Sequence, residues 1–230
     1  MTQAQKIAVV AGVGSGLGAS LCRAYANEGY KVYALARTAK GAGGGETTRF
    51  IATDLTSEAS VSEAFSQILA EEGTLHHAVY NASTIVIDDF ADTKAADFEA
   101  LWRVSCYGAF LFAQAALAPM EKAGAGSLLF TGATASIKGS ARFSAFASAK
   151  FALRGLAQSL AREYGAKGIH VVHTLLDGII WSDRARDVFS MTEDASMDPD
   201  AIAAVYLDVA HQQKSAWTHE LDMRPYSEKF

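Results

Sequence analysis

The sequence predicts an α/β domain in which a doubly wound parallel sheet of about seven strands carries helices on both faces. Short apolar runs of strand length alternate along the chain with longer segments of helical periodicity. The first such unit, Lys6 to Gly29, places a series of glycines between its strand and its helix. The length of 230 residues suits one domain, and we assign residues 1–230 to it.

The opening unit predicts a site for a dinucleotide. Ile7 to Ala11 form an apolar run of the length of a buried strand, and Leu17, Leu21 and Tyr25 then recur at helical spacing as far as Gly29. Glycines in the turn let the backbone approach a pyrophosphate, and the helix N-terminus presents free N–H groups to its charge. The residues assigned to this cradle are Gly12, Gly14, Ser15, Gly16, Leu17 and Gly18.

The end of the second predicted strand indicates which dinucleotide binds. Lys31 to Ala36 form this strand, and Arg37 and Thr38 follow it. An acidic side chain at this strand end would bind a ribose 2′-hydroxyl, whereas a cation pairs with a 2′-phosphate. We therefore expect NADP(H), with NAD(H) as the less favoured cofactor. The alternative is a solvated arginine at the start of a loop, and the next stretch, Gly41 to Gly45, is expected to be a mobile loop.

The remaining elements follow in regular alternation. The predicted strands are Arg49 to Thr53, Leu75 to Tyr80, Ser127 to Thr131, Ile169 to Leu176 and Ala216 to Met223. The predicted helices are Ser57 (as N-cap) to Glu72, Asp97 to Ala118 ended by Pro119, Ala145 to Tyr164, a short helical lid within Trp181 to Met191, and Pro199 to Gln212 capped by Asp198.

Composition argues against several classes of partner. The net charge is −5 without a dense basic run, so we expect no nucleic acid. The longest nearly apolar run, Gly108 to Met120, is too short for a membrane span, and the polar N-terminus does not resemble a signal peptide. Cys22 and Cys106 are expected to be reduced thiols of a cytoplasmic protein. The histidine pairs lack metal-ligand spacing, so we assign no metal.

Taken in order, these landmarks resemble the short-chain dehydrogenase/reductase family over nearly the whole chain. The segment Ala11 to Gly18 is similar to its TGxxxGxG loop, with alanine in place of threonine, and Asp54–Leu55 matches its adenine-contacting aspartate. Asn81–Ala82–Ser83 resembles its NNAG signature, Lys150 the lysine of YxxxK, and Asp177–Gly178 its PG turn, after which Ile180 also contacts cofactor. The resemblance implies a Rossmann-like fold and hydride transfer between NAD(P)(H) and a carbonyl or alcohol substrate.

At the family's catalytic positions this chain departs from the pattern. The tyrosine that donates a proton is replaced by Phe146, the serine by Ala133 and the asparagine by Ser105, whereas Lys150 is retained. By the resemblance, that lysine holds the nicotinamide ribose. The substituted residues imply an altered proton-donor set.

Nearby hydroxyls and Lys150 remain as candidate donors. The hydroxyls nearest in sequence are Thr134, Ser136 and Ser144, and Ser105 is also near by the resemblance. Thr134 is the first choice because slippage of the loop by one residue would put it at the serine site, although a turn threonine that bonds its own backbone is the alternative interpretation. Lys150 could act as an acid if burial lowers its pKa, or could only fix the ribose.

The second hypothesis is a catalytically impaired protein that senses NADP(H) or scaffolds a partner. The substrate is an unidentified small molecule, in a pocket expected to be lined by Ser83, Thr84, Ala135, Ile137, Phe143, Trp181 and Phe189. The resemblance also implies a homodimer or homotetramer that pairs through the two long helices containing Trp102 and Lys150. An inactive subunit of a mixed assembly is the third possibility.

Overall fold

The computed structural model describes residues 5–39, 45 and 47–228, and its centre is a single parallel sheet in the order β3-β2-β1-β4-β5-β6-β7. The strands are β1 Lys6–Ala11, β2 Tyr30–Ala36, β3 Thr48–Ala52, β4 His77–Tyr80, β5 Gly126–Thr131, β6 Ile169–Leu176 and β7 Glu220–Met223. The order reverses direction at β1, so the predicted doubly wound, Rossmann-like sheet of seven strands is confirmed. The predicted mobile loop lies, apart from Gly45, outside the described residues.

Helices cover both faces of this sheet. Their bounds are α1 Leu17–Asn27, α2 Glu58–Glu72, α3 Ala95–Trp102, α4 Gly108–Ala123, α5 Ser144–Tyr164, α6 Asp183–Phe189 and α7 Pro199–Ala210. A π-helical turn, Arg103–Tyr107, joins α3 to α4. None of the helices that the structure describes has the length and apolar character of a membrane span.

Two apolar cores flank the sheet because alternate strand residues point to opposite faces. In β4, Tyr80 packs with Phe65 and Phe112 under α2 and α4, where the two phenylalanine rings meet edge to face at 5.3 Å. Val79 belongs to the opposite core, together with Tyr206 of α7. Burial on both faces explains why the strands read as continuous apolar runs rather than alternating ones.

The prediction that Pro119 ends the long helix is wrong. The helical segment begins at Ala95 rather than Asp97 and continues through Pro119 to Ala123, where Gly124 adopts a left-handed conformation. Proline removes one backbone hydrogen bond, at a cost of about 3 kcal/mol. Leu117 and Met120 on either side of it are buried, and their packing holds the segment in helical form.

The last strand is also shorter than predicted. It begins at Glu220, and a 3₁₀ turn, Lys214–Ala216, occupies the place of its predicted start. Trp217 instead stacks on the ring of His170 with centroids 4.7 Å apart. Trp217 therefore lies before the residues that pair with β6, which begin at Glu220.

Candidate active site

A single large cavity lies beyond the carboxyl ends of the central strands. Its volume is about 1190 Å³, and its walls come from the segments that follow β1, β4, β5 and β6 together with α5 and α6. The carboxyl ends of parallel strands meet at one edge of the sheet, so residues far apart in sequence share this space.

The glycine turn forms the floor of one end of the cavity and is packed against the segment after β4. Gly12 has a φ of +83°, and a Cβ placed there would lie 2.3 Å from the backbone nitrogen of Ala82. A Cβ on Gly18 would lie 2.7 Å from the Gly12 carbonyl oxygen. Asn81 donates from Nδ2 to that same carbonyl oxygen at 3.1 Å. The turn therefore has room for backbone alone at Gly12 and Gly18.

The N-terminus of α1 faces this end of the cavity. Gly16 occupies the N-cap and has no side chain with which to cap the helix, and the first-turn residues Leu17, Gly18 and Ala19 are uncharged. Ser15, Gly16 and Leu17 line the cavity. The positive end of the helix dipole is thus open to an anion, as a bound pyrophosphate requires.

The residues predicted to hold the adenosine half lie outside the cavity lining. Arg37 and Thr38 are exposed after β2, whereas Leu55 is buried. The carboxylate of Asp54 accepts hydrogen bonds from the Thr56 N–H at 2.9 Å and from Thr56 Oγ1 at 2.8 Å. These bonds lower the pKa of Asp54, and the positive charge of Arg37 is a smaller cause of the same shift. The charges of Arg37 and Asp54 therefore interact beyond the carboxyl end of β2.

Lys150, on α5, also lines the cavity. Its side chain is buried, and Nζ donates a hydrogen bond to the Thr131 carbonyl oxygen at 2.8 Å. Nζ also stands 5.7 Å from the centroid of the Phe146 ring, one helical turn earlier. Burial lowers the pKa of Lys150 to about 8, because a charged ammonium is poorly solvated there.

The wall beside Lys150 is apolar at the two positions where the family pattern has hydroxyls. The ring of Phe146 packs near Phe143, with centroids 6.5 Å apart. The Ala133 N–H donates to Ser136 Oγ at 3.1 Å, and Ser136 Oγ in turn lies 3.2 Å from His173 Nε2. Ser136 is fully buried, so its hydroxyl serves this internal network.

Thr134 carries the nearest cavity-lining hydroxyl after position 133, and it bonds to an acidic side chain rather than to its own backbone. Thr134 Oγ1 donates to Asp177 Oδ1, and Arg224 Nη1 lies 3.1 Å from Asp177 Oδ2. Arg224 also pairs with Asp222. Sequence reasoning missed Asp177 and Arg224 as site residues. The available signal was a carboxylate at a strand end, immediately before Gly178.

Ser105 is fully buried within the π-helical turn and does not line the cavity. Its hydroxyl lies 3.1 Å from Ser83 Oγ, which does line it. Tyr80 donates from its hydroxyl to the Val104 carbonyl oxygen, which the π turn leaves available. Ser105 thus reaches the cavity only through Ser83.

The structure brings about half of the predicted site residues to the cavity. Those that line it are Ser15, Gly16, Leu17, Asn81, Ser83, Ala133, Thr134, Phe146, Lys150, Gly178 and Ile180. Those outside the lining are Gly12, Gly14, Gly18, Arg37, Thr38, Asp54, Leu55, Ala82 and Ser105. Of the expected pocket residues, Trp181 is outside the lining, and Ser83, Thr84, Ala135, Ile137, Phe143 and Phe189 are inside. The described residues contain no cluster of three His, Cys, Asp or Glu side chains able to hold a metal.

Known proteins that resemble this chain are dehydrogenases. A family model described as short chain dehydrogenase matches residues 6–192. A 3-alpha-(or 20-beta)-hydroxysteroid dehydrogenase of Mycobacterium bovis is 27% identical over 219 residues, which cover 91% of this chain and 84% of the relative.

Solved structures agree in fold. A short-chain dehydrogenase from Rhodopseudomonas palustris is 33% identical with a TM-score of 0.78, and the match covers 95% of this chain and 99% of that one. The structure of ElxO with NADP bound matches with a TM-score of 0.87 at 20% identity, covering 96% and 98% of the two chains.

Proposed function

The chain belongs to the short-chain dehydrogenase family, and on that premise we propose that it is an NADP(H)-dependent oxidoreductase. It moves a hydride to or from the carbon of a carbonyl or alcohol substrate, a small molecule held in the cavity. One observation carries the proposal: the residues at the N-terminus of α1 and the side chain of Lys150 line the same cavity. This pairs a pyrophosphate site with a lysine where the family holds the nicotinamide ribose.

The residues of the turn fit a dinucleotide. Ser15, Gly16 and Leu17 line the cavity, and the first turn of α1 supplies N–H donors and a positive dipole. By the family resemblance, Arg37 follows the strand whose end meets the 2′ position of the adenosine ribose, and its guanidinium would favour NADP(H) over NAD(H). In ElxO, a protein of the same fold, NADP is the bound cofactor. When bound here, the cofactor supplies or accepts the hydride.

The proton-handling residues form an altered set. Phe146 has no proton to donate, Ala133 has no hydroxyl, and Ser105 replaces the asparagine. Lys150 keeps two N–H bonds beyond the one given to Thr131, and with a pKa of about 8 it exchanges protons near neutral pH. Thr134 lines the cavity with an oriented hydroxyl. Lys150 and Thr134 are therefore the proposed groups for transfer of the substrate proton.

Cofactor titration tests this function directly. Thermal unfolding is followed while NADPH and, separately, NADH are added from micromolar to millimolar concentration. We expect stabilisation that grows with ligand concentration and is larger for NADPH, since a ligand that binds only the folded state raises its stability. No stabilisation by either nucleotide would reject the function, and a larger effect of NADH would reject the role of Arg37. Turnover is then measured as NADPH oxidation with a panel of ketones and aldehydes, and as NADP⁺ reduction with the matching alcohols.

A cofactor-binding protein without catalysis is the second candidate. The observation that favours it is the apolar wall at Phe146 and Ala133, which removes two hydrogen-bond donors from the reacting position. Such a protein would sense NADP(H) or scaffold a partner. It predicts tight NADPH binding without turnover in either direction. Turnover of any member of the panel rejects it.

We also propose a homodimer or homotetramer that pairs through the long helices. Large apolar side chains on them are 38–45% exposed, namely Phe98, Trp102, Phe110 and Phe151. Light scattering on the purified chain tests the state, and a Trp102→Glu, Phe151→Glu double variant should shift it towards monomer. A wild type that is monomeric at micromolar concentration would favour the third possibility, pairing with a related chain.

The cysteines support a cytoplasmic location, which we propose as well. Cys22 and Cys106 are both free thiols rather than a disulfide. Burial raises the pKa of Cys22 to about 12, so its thiol stays protonated and inert. Cell fractionation with an antibody to the chain tests the location, and recovery in a secreted or membrane fraction would reject it.

A further inference from the structure

An acidic side chain stands on the cavity wall with a threonine bonded to it. Asp177 follows β6 directly and lies opposite the 3₁₀ turn that begins at Thr134. Both side chains line the cavity that also holds Lys150. Arg224, immediately after β7, fixes the second carboxylate oxygen at 3.1 Å. The pair is therefore held from two sides within a wall that is otherwise largely apolar.

The hydrogen bond between them runs from the threonine to the aspartate. Thr134 Oγ1 donates its single proton to Asp177 Oδ1, while Arg224 Nη1 lies beside Asp177 Oδ2. The Thr134 oxygen is left with lone pairs alone for anything in the cavity. It can accept a hydrogen bond from a ligand hydroxyl but cannot donate one to a carbonyl oxygen.

The backbone of Thr134 is equally fixed. Its carbonyl oxygen accepts bonds from the N–H groups of Ile137 and Lys138, both at 3.0 Å. The turn thus holds the side chain towards Asp177 without help from a ligand. An acceptor set in place before the substrate arrives lowers the entropy cost of reaching the reactive geometry.

We propose that Thr134 and Asp177 form the proton-accepting pair of this site when an alcohol substrate is oxidised. This rests on the proposed function, since the hydride needs an oxidised nicotinamide dinucleotide as acceptor. Thr134 touches the substrate hydroxyl and is catalytic in that sense. Asp177 acts through Thr134 and is a positioning residue that also receives the proton.

The atoms balance in this direction. The carbinol C–H bond breaks and its hydride, with both electrons, leaves for NADP⁺, so that the carbon is oxidised and the dinucleotide reduced. The substrate O–H proton passes to Thr134 Oγ1 while the threonine's own proton passes to Asp177 Oδ1. The side chain of Asp177 is 17% exposed, which gives the proton a way out to water.

Other charges face this pair and must be separated from it in any measurement. Arg224 bonds to Asp177, and the remaining charged residues of the described cavity lining are Lys138, Lys150 and Glu228. Lys150 is the competing proton acceptor, because above a pH of about 8 its amine is largely neutral. A limb of the pH profile near pH 8 that depends on Lys150 would therefore identify the competing route, whereas loss of rate in Asp177→Asn would identify the proposed one.

Cofactor-free protein provides the first test. The carboxyl-carbon NMR signals of aspartate-labelled wild type and Asp177→Asn are compared, and the signal missing from the variant is assigned to Asp177. We expect this signal to shift in Thr134→Val, because the hydrogen bond from the threonine is lost. A signal indifferent to Thr134→Val would overturn the proposal without reference to any activity.

Turnover provides the second test, with cyclic and acyclic secondary alcohols and their matching ketones as probes. Thr134→Val and Asp177→Asn should each lower kcat for alcohol oxidation roughly 10²- to 10⁴-fold with little change in KM for NADP⁺, whereas Thr134→Ser keeps the rate within about tenfold. The matched control is Asp222→Asn, which removes a carboxylate from the same guanidinium outside the cavity lining and should stay within about threefold of wild type.

The pH profile separates the two possible acceptors. We expect an oxidation rate that is lowered by Asp177→Asn and has no limb near pH 8. A limb near pH 8, with a rate that Asp177→Asn leaves unaltered, would assign the proton to Lys150 and overturn the proposal. Binding of NADP⁺ with oxidation of none of these alcohols would overturn it too. Failure of NADP⁺ to bind is a different result, because it removes the proposed function itself.

Discussion

The glycine turn after β1 and the wall around Lys150 face one cavity but relate to stability in opposite ways. At Gly12 packing alone requires a backbone without a side chain, because a Cβ would overlap Ala82. At Lys150 the position lowers stability, because the ammonium is buried against the Thr131 carbonyl and loses its hydration. The fold therefore explains the glycine but not the buried lysine, which makes Lys150 the stronger indication of chemistry.

The largest expected effect comes from returning hydroxyls to the wall. The double variant Phe146→Tyr, Ala133→Ser should raise ketone reduction with NADPH roughly 10²- to 10⁴-fold, because it supplies a proton donor and a second hydrogen bond to the substrate oxygen. Initial rates of NADPH oxidation at saturating cofactor measure this. The single variant Ala133→Ser is the control and should contribute only part of the gain. A substrate that wild type already turns over, and on which the double variant is no faster, would contradict both the assignment of these positions and the scaffold alternative.

Adding a single methyl group at Gly12 should destabilise the glycine turn after β1. Gly12→Ala is expected to lower the free energy of unfolding by about 2–4 kcal/mol, because its Cβ would overlap Ala82 and alanine is strained at positive φ. Gly14→Ala is the matched control, since a Cβ there meets nothing within 4 Å. Urea unfolding of the cofactor-free proteins separates the two. Equal midpoints would mean that the turn is more adaptable than its packing indicates.

Removing the buried charge of Lys150 should stabilise the protein, whereas Gly12→Ala should destabilise it. Lys150→Met is expected to raise the free energy of unfolding at pH 7 by roughly 1–3 kcal/mol, since methionine fills similar space without a charge to desolvate. The pKa of Lys150 is about 8 in the folded protein and 10.5 in a free chain. Below pH 8 both states are protonated and the full penalty applies. Between pH 8 and 10.5 the folded state gives up its proton first, so the advantage of Lys150→Met shrinks there.

The control for this sign is an exposed lysine. Lys122→Met in α4 removes the same charge from a solvated position and should change the free energy of unfolding by less than about 0.5 kcal/mol at any pH in this range. Urea unfolding at pH 7, 8.5 and 10 compares the two variants. A loss of stability in Lys150→Met at pH 7 would show that its bond to Thr131 outweighs its desolvation.

The smallest effect is expected at the open end of β2. Arg37→Ala should weaken NADPH binding about tenfold, or about 1.4 kcal/mol, and leave NADH unchanged, because only NADPH has a 2′-phosphate for the guanidinium. Isothermal titration of both nucleotides against both proteins measures it. Arg162→Ala, an exposed arginine of α5, is the control for net charge. An equal loss for the two nucleotides would move Arg37 from phosphate recognition to general electrostatics.

Local chemistry explains how much of the fold could be predicted. Strand β6 has its predicted bounds, Ile169–Leu176, because a mostly apolar run, interrupted by His170, His173 and Thr174, lies between a glycine and an aspartate. Helix α2 begins after Ser57, whose hydroxyl accepts from the Ser60 N–H as an N-cap does. The continuation of the helix through Pro119 could not be predicted, because it depends on burial of the neighbouring residues, which is a property of the tertiary structure.

The candidate site likewise combines residues of local motifs with residues that only the tertiary structure brings together. Gly12 and Lys150 belong to short motifs that are legible in one segment of sequence. The pair of Thr134 and Asp177 with Arg224 joins three segments that meet only when β5, β6 and β7 lie side by side. No local pattern marks Arg224 as their partner. Side-chain contacts of this range follow from strand order and register, which the sequence did not specify.

That long-range clamp also sets when the site can exist. Arg224 reaches Asp177 only after β7 has paired along β6, where the Asp177 N–H donates to the Met223 carbonyl oxygen at 2.8 Å. Ala82, against which Gly12 packs, directly follows β4, whereas Arg224 is synthesised much later, so that at roughly 5–20 residues per second the wall is completed roughly 7–28 seconds after the turn. On the ribosome, the glycine turn can therefore form before the wall that carries Thr134 and Asp177 is complete.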